Sequence, residues 1–500
     1  MTEKLQLVTG YDFTADSGTV SLLSNTDGFD VAYEGWKPAQ EIEKDGLIRE
    51  ALTLRIQGTS TDHLAASLQK LAAARWTVQE FIEQNAANKA LWFRVQIEGE
   101  TGIRQSLVRG LDYEPASSIY DYALRQKYHW NKFTLGIERS PWWESTTMGT
   151  IVSGSISILG GTFAYSGVDG DLPARIAKIV VDPDIDSQGT VGYGPELFPW
   201  GQFWLGFRSD RYGTPSAWTP YKGVYVAGRG SGTADTTAHA GSASIGGGYL
   251  KMSEIAAAPQ NMEGKFLVLA RVKIGQMPTS TQIGAGSAVQ FNIRMKTSFY
   301  TDSYGSSSEI NSNARYYPRI PISVTTGFPD GSGKGYYYHI YEMGEITYPP
   351  NRSGMANASN FMLSFGGDRI YDQAAGTAGT PQLYWDTIYL IPTGEGYYWG
   401  GRPLGAKYDN EYNYEENNYY GFNGPDDVQA GLTSGTVDGS GNILMYGASQ
   451  PFVYRGVPPG SGIGVFVCDD VGYRGFDVLP WKVDVTLNTV ERWESLRGAE

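Results

Sequence analysis

Cysteine is nearly absent from this chain: Cys468 is the single one in 500 residues. No disulfide can form within the chain, so its fold has to be held by its own core. Synthesis in a reducing compartment such as a bacterial cytoplasm fits that. Histidine is almost as scarce. His63, His129, His239 and His339 are scattered without metal spacing, and neither HExxH nor CxxC occurs, which leaves zinc without a ligand set. Basic residues are outnumbered, 39 Lys and Arg against 53 Asp and Glu, for a formal net charge of −14. Non-specific binding to nucleic acid needs the opposite balance, because it is driven by displacing counterions from phosphates. No run approaches the ~20 apolar residues of a membrane-spanning helix. The start, MTEKLQLVTG, has no apolar run after a basic segment, so neither membrane insertion nor signal-directed export is expected. If the protein acts outside a cell, lysis or a route without a signal has to release it.

What is abundant is glycine and aromatic residues: 64 Gly, 34 Tyr and 13 Trp, with 41% hydrophobic and 18% charged residues. Glycine permits many tight turns, and aromatic rings suit half-buried pleated surfaces. The length allows two to four domains. The composition points to a mainly β chain: an N-terminal β-sandwich or barrel-like domain with one flanking helix, followed by jelly-roll-type β-sandwich domains.

Residues 1–147 carry the clearest pattern. Leu52, Leu54 and Ile56 alternate with Thr53, Arg55 and Gln57, as in a half-buried strand. Thr61 or Asp62 can cap a helix whose apolar face is Leu64, Ala65, Leu68, Leu71 and Ala72, with Val78, Phe81 and Ile82 extending it. Leu91, Phe93, Val95 and Ile97 predict a second strand, and Phe133, Leu135 and Ile137 a third. Pro141 closes the domain near Trp142 and Trp143. From 148 to 395 the segments IVSGSISILG, ARIAKIVVD, KFLVLARVKIG, AVQFNIRMK, NFMLSF and LYWDTIYLIP read as short strands separated by turns. Long loops are expected at 228–248 and 299–318. Residues 396–427, rich in Tyr, Asn and acid, show no helical or strand period and read as a linker or surface arm. Residues 428–500 return to strands that complete a sandwich.

Chemistry-bearing patterns are few. Asp182, Asp184 and Asp186 stand at alternate positions of DPDID, so three carboxylates can converge on a calcium ion. A solvated acidic turn explains them equally. GSGKG around Lys334 lacks the first glycine of a phosphate loop, and Gly335 stands where a Ser or Thr should bind magnesium. Glu342 and Glu345 are the least implausible glycosidase pair, yet exposed strand acids account for them. No catalytic set is expected, and no cofactor beyond that calcium. Trp200, Trp204, Trp218, Trp385 and Trp399, with Tyr336 to Tyr338 and Tyr397, are the candidates for stacking on sugars. Core or interface anchoring is the competing role of such rings.

The order strand, capped helix, strand, crossing segment and a last strand ending in ERSPWWE (Glu138 to Glu144) resembles the N-terminal domain of distal tail proteins and related tail-tube proteins of long-tailed phages. GDLPARIAKIVVDPD, from Gly170 to Asp184, resembles the opening strand of the β-sandwich that follows in such proteins. PPGSGIGVFVCDD, with Val483, Val485 and Leu487 after it, resembles the close of that module. The likeness covers roughly residues 1–145 well and the remainder loosely, and the large middle region looks like an added sandwich. The resemblance implies a virion subunit in a homo-oligomeric ring that contacts other tail proteins, joins tail tube to tip and displays the sandwich outward. The alternative is a carbohydrate-binding module that docks onto cell-surface glycans.

Overall fold

The computed structural model describes residues 2–10, 16–24, 26–31, 35–57, 61–84, 90–97, 102–113, 130–157, 161–184, 203–209, 221–222, 244–251, 264–275, 289–300, 309–324, 336–348, 361–372, 382–393, 396–400, 407–409, 413–415, 419–423, 430–432, 434–437, 443–446, 456–468 and 482–496. Among these residues the protein is mainly β, in antiparallel sheets, with one helix.

The N-terminal unit runs β1 (Thr2–Gly10), β2 (Asp16–Ser21), β3 (Phe29–Val31), β4 (Ile48–Gln57), α1 (Thr61–Gln84), β5 (Ala90–Ile97), β6 (Arg104–Tyr113), β7 (Trp130–Arg139) and β8 (Trp143–Ser145). Its strands pair in the order β2-β1-β5-β6-β7-β4-β3, so one sheet curls from edge to edge with β6 as the shared strand. The concave side holds a core of Leu5, Leu7, Leu52, Leu54, Ile56, Phe93, Leu135 and Ile137, closed by Leu71, Ala74 and Val78 of α1. Leu52, Leu54, Ile56, Phe93, Leu135, Ile137, Leu71 and Val78 are positions that strand and helix period mark, whereas Ala72 and Ile82, expected on the apolar face of α1, are exposed because the helix buries Ala74 in their place. Trp92 belongs to the outward set by strand period, yet only 1% of it is exposed. Phe81, at the end of α1, packs with Val8, Ala90, Trp92 and Leu107 on the opposite side of the sheet, so β5 is covered on both faces.

The chain continues as β9 (Gly149–Ser157), β10 (Gly161–Val168), β11 (Leu172–Asp184) and β12 (Phe203–Ser209). A long excursion comes next: β13 (Tyr221–Lys222), β14 (Ser244–Lys251), β15 (Gly264–Gly275), β16 (Val289–Tyr300), β17 (Glu309–Tyr316), β18 (Ile320–Val324), β19 (Tyr336–Tyr348), β20 (Phe361–Asp372) and β21 (Gln382–Pro392). The return consists of β22 (Gly396–Gly400), β23 (Lys407–Asp409), β24 (Asn413–Glu415), β25 (Tyr419–Asn423), β26 (Ala430–Leu432), β27 (Ser434–Val437), β28 (Ile443–Tyr446), β29 (Gly460–Cys468) and β30 (Lys482–Trp493).

The pairing is nested. β30 lies between β9 and β11, and β25 adds to the far side of β11; β29 lies between β10 and β12, and β22 pairs with β12. The early strands are thus completed by the latest ones. The tract from 396 to 427, expected as an arm without strand period, supplies β22 and β25 to these sheets. Likewise β17 falls inside the expected 299–318 loop.

Strand alternation produces three apolar layers. Val152, Ile156, Ile176, Ile179, Val485 and Leu487 of the first sheet face Leu205, Phe207 and Phe466 of the second. The opposite faces of the second sheet, Trp204, Val465 and Val467, meet Leu267, Leu269, Tyr389 and Ile391 of the sheet β13-β21-β15-β19. Phe266, Val268 and Ala270 of β15 are buried as well, so after exposed Lys265 the strand reads as a continuous apolar run covered on both sides, FLVLA. Gly206 is what lets the second and third sheets approach. A Cβ there would stand 2.6 Å from both Ile391 Cγ2 and the Pro392 carbonyl oxygen. The outermost sheet is β14-β20-β16-β17, with β18 also on β16; it turns Ile293, Met295, Leu363 and Phe365 inward.

Candidate functional site

The ERSPWWE segment lies where the N-terminal unit meets the first sandwich, and two of its charges, Arg139 and Glu144, are buried. Strand period explains why. Ile48, Glu50, Leu52, Leu54 and Ile56 occupy one face of β4, so Glu50 takes a core position. Arg139 follows Leu135 and Ile137 on the inward face of β7 and is paired in register with Ile48. The two meet as an ion pair with both side chains 0% exposed, Nη2 of Arg139 standing 2.7 Å from Glu50 Oε1.

That pair is saturated with hydrogen bonds. Arg139 donates from Nε and Nη2 to Glu50 Oε1 (2.9 and 2.7 Å), from Nη1 to the Ser140 carbonyl (2.9 Å) and from Nη2 to the Ala39 carbonyl (3.1 Å). Glu50 Oε2 accepts from Trp36 Nε1 (2.9 Å) and from the Ala39 N–H (3.0 Å). The guanidinium lies 4.2 Å from the Trp143 ring centroid, and Trp143 in turn contacts Phe93, which Trp36 meets edge-on. Burial lowers the Arg139 pKa, against the opposing charge and hydrogen bonds of Glu50. Charges taken out of water persist only when paired and hydrogen-bonded in this way.

Five residues on, Glu144 makes the second ionic site, and this one crosses between units. Its carboxylate accepts from Arg175 of β11 through Nε (3.0 Å) and Nη2 (2.9 Å), in a two-pronged contact, and from Arg492 Nε of β30 (2.9 Å). Arg492 is also the register partner of Glu144, and Trp493 pairs with Trp143. Burial pushes the Glu144 carboxyl up, but the charges of Arg175 and Arg492, and then their hydrogen bonds, outweigh it and hold it below the ordinary carboxylate range. The Arg492 guanidinium lies 4.5 Å from the Trp142 ring centroid.

Residues 493–496 extend the joint. Arg104 of β6 donates from Nη1 to the carbonyls of Ser495 (2.7 Å) and Leu496 (2.5 Å) and lies 4.5 Å from the Trp493 ring centroid. Leu496 is 5% exposed and belongs to the N-terminal core. On the sandwich side, Gly170 has φ +115°, and a Cβ on it would collide with the Arg492 carbonyl oxygen. Adjacent Asp171 donates its N–H to that oxygen (3.2 Å) and accepts from the Glu494 N–H (2.6 Å). One strand end therefore binds two units by charge, register and packing together.

The residues singled out in the sequence fare differently. Trp204 is fully buried, and its Nε1 donates to Glu342 Oε1 at 3.1 Å. Its ring is a core contact between sheets and has no exposed face for a sugar, because strand alternation turns it toward Leu269 and Ile391. Trp385 and Trp399 sit on β21 and β22, in register with Val272 and Trp204; their side chains lie outside the described residues, as do Trp200 and Trp218. Asp182 and Asp184 are the end of β11 rather than a turn after it, Asp182 opposite Asp484. Their side chains, and Asp186 altogether, lie outside the described residues. Among the described residues no group of three or more His, Cys, Asp and Glu is placed to hold a metal.

Glu342 and Glu345 are both exposed and flank a bulge at Met343, where the β15–β19 register shifts. Each carboxylate has a neighbour: Glu342 takes Trp204, and Glu345 accepts from Thr393 Oγ1 at 2.6 Å. His63 is exposed on the first turn of α1, and His339 is in β19; His129, His239 and Lys334 lie outside the described residues. No helix among the described residues is long and apolar enough to cross a membrane.

No family model and no curated protein matches the chain. Among solved structures, a chain of the phage p2 baseplate in its activated conformation with Sr is 8% identical, with a TM-score of 0.18 over 77% of this chain and 97% of that one. A chain of the same baseplate with Ca gives 8% identity and a TM-score of 0.15 over 77% and 98%. A structure of infectious bursal disease virus, Gx strain, gives 6% and 0.14 over 69% and 78%. At such TM-scores the likeness carries no argument about architecture or role.

Proposed function

We propose that this protein is a structural subunit of a virion, a distal-tail or baseplate component of a long-tailed phage. It assembles as a homo-oligomeric ring through its N-terminal unit, joins tail tube to tip and holds the layered β region outward. The observation that supports this most is the joint itself. Glu144, Arg175 and Arg492 form a buried ionic clasp between the units, and Leu496, with Trp493 beside it, packs into the N-terminal core. A hinge would be served by an exposed, weakly packed connection; a joint that transmits position between neighbours needs the buried kind.

The sheet edges suit assembly. β2 and β3 end the curled N-terminal sheet, and Asp16 to Thr19 of β2 are exposed. An unpaired strand edge is a template for a neighbouring chain unless charge or shortness blunts it. Repetition of one such contact with rotation generates a closed ring.

Mass photometry and negative-stain microscopy of the purified full chain test the reading. A single closed oligomer is expected. A strictly monomeric protein at micromolar concentration, with no ring in micrographs, refutes it.

A further inference from the structure

We infer that α1 carries a two-fold docking patch for a second copy of this chain, made of Arg75, Trp76, Gln79, Ile82 and Glu83. It is a different surface from the sheet edges that suit a ring, and either contact can form without the other.

The helix holds more apolar residues than the core takes up. Leu71, Ala74 and Val78 enter the N-terminal core, and Phe81 packs with Val8, Ala90, Trp92 and Leu107. Trp76 and Ile82 do neither, being 59% and 56% exposed. Two large apolar side chains within two turns of one helix form a patch rather than scattered exposure, and such a patch marks an interaction surface. Ala72 and Ala73, one turn before Trp76, are exposed as well. Their small side chains let a partner come close beside the indole, the kind of ring that anchors protein interfaces.

The order of residues along the patch names the partner. Counted from Gln79, Arg75 and Trp76 stand four and three residues before it, and Ile82 and Glu83 stand three and four residues after it. All five are exposed. Residues at these spacings are neighbours on one helix face, and at 3.6 residues per turn the five fall within roughly 120° of the circumference. An antiparallel copy related by a two-fold axis at Gln79 reads the same series backwards. Arg75 and Trp76 of one helix then stand level with Glu83 and Ile82 of the other, twice over, and the two Gln79 amides meet at the axis. The guanidinium meets a carboxylate, its strongest hydrogen-bonding partner, and the indole gains an aliphatic neighbour. A parallel copy would instead set Arg75 against Arg75 and Glu83 against Glu83. Because one patch supplies both halves of the match, the occupant is the same chain, as an isologous interface requires.

The helix end supports this. The last turn of α1 holds no basic residue, so Glu83 lies at the negative end of the helix dipole without a cation beside it. Its partner there is Gln79, whose Nε2 donates to Glu83 Oε1 over a long 3.4 Å. Arg75 of the second copy supplies the missing charge. The stretch 75–83 is about 12 Å long and covers only part of the roughly 800 Å² per partner of a standard interface. The contact is therefore weak by itself and is read at high protein concentration or by cross-linking.

Sedimentation velocity and mass photometry of the full chain over a rising concentration series test the pairing. A doubling of mass is expected, from monomer to dimer or from one ring to two. Arg75→Glu and Glu83→Arg should each weaken it about tenfold or more, and the two together should restore it to within about threefold of the parent. Trp76→Ala should weaken it by a similar factor. Gln79→Cys should form an intermolecular disulfide under mild oxidation faster than Gln69→Cys, which is exposed on the same helix; the parent, with Cys468, sets the background. These side chains are exposed, so melting temperatures should match the parent; if Trp76→Ala lowers its own, the charge-reversal series carries the test. No mass doubling, no rescue by the double reversal, or equal cross-linking at 69 and 79 each overturns the proposal. A ring whose mass Arg75→Glu leaves unchanged also overturns the pairing while the ring reading stands, whereas a dimer that closes into no ring does the reverse.

Discussion

Replacing Glu144 with glutamine removes one charge and almost no volume, so its effect isolates the electrostatics of the joint. Three hydrogen bonds of 2.9 to 3.0 Å from two guanidiniums end on this carboxylate. Bonds to charged groups contribute roughly 1.5–3 kcal/mol each, and they are not additive. The larger effect is on the cations, which stay buried with no anion between them, while the new amide turns N–H donors toward N–H donors. Breaking a buried pair in this way costs about 3–5 kcal/mol. In a chain of this length unfolding is not a single transition, so the effect should be read locally by hydrogen exchange. Peptides covering 104–113, 143–157 and 482–496 should exchange two to three orders of magnitude faster, at about 1.4 kcal/mol per factor of ten. The helix peptide, 61–84, should change far less. A control separates charge from packing: Glu144→Leu together with Arg175→Met and Arg492→Met should recover much of the loss, because apolar groups of similar volume often replace a buried ionic cluster without penalty. Equal protection in the parent and Glu144→Gln would refute the account of the joint.

The remaining predictions concern the same region and its neighbours. Because the Glu144 pKa is depressed in the fold, its contribution is full above the ordinary glutamate value of 4.5 and declines as pH falls through the lower folded value. Acid titration of local protection should show that loss in the parent and not in the apolar triple variant. Gly170→Ala should destabilise the joint by about 1–3 kcal/mol, since φ is +115° and the new methyl meets a backbone oxygen; thermal melting with exchange at 482–496 checks it. Leu496→Ala should lower the melting temperature of the N-terminal unit, at a cost of about 2–5 kcal/mol for a buried leucine. Trp204→Phe should loosen the contact between the second and third sheets by about 1–3 kcal/mol, as a buried indole bond to Glu342 is lost; fluorescence-detected unfolding reads it directly.

Part of the joint is legible in the chain itself. Glu50 breaks the run Ile48, Leu52, Leu54, Ile56 at an inward position, and Arg139 does the same after Leu135 and Ile137. A charge on a core-facing position announces that a partner is buried nearby. The sequence cannot say which partner, since Glu50 and Arg139 are 89 residues apart. Arg175 and Arg492 are less legible still. They are separated by most of the chain and meet only because β30 returns between β9 and β11. The aromatic residues are ambiguous for the same reason. Period two places Trp204 on a face of β12, but whether that face meets water or another sheet depends on β21 and β15.

The strand and helix periods of the N-terminal unit, its mainly β class and the lack of disulfide staples follow from the sequence by itself, because alternation, capping and cysteine count are local properties. Tertiary structure decided what those elements are joined to. β30 closes two units at once, the tract from 396 to 427 supplies strands to two of the sheets, and Glu144 becomes a clasp between units. Each of these is a contact between residues distant in the chain, whose pairing depends on loop closure and layer packing that no local pattern encodes.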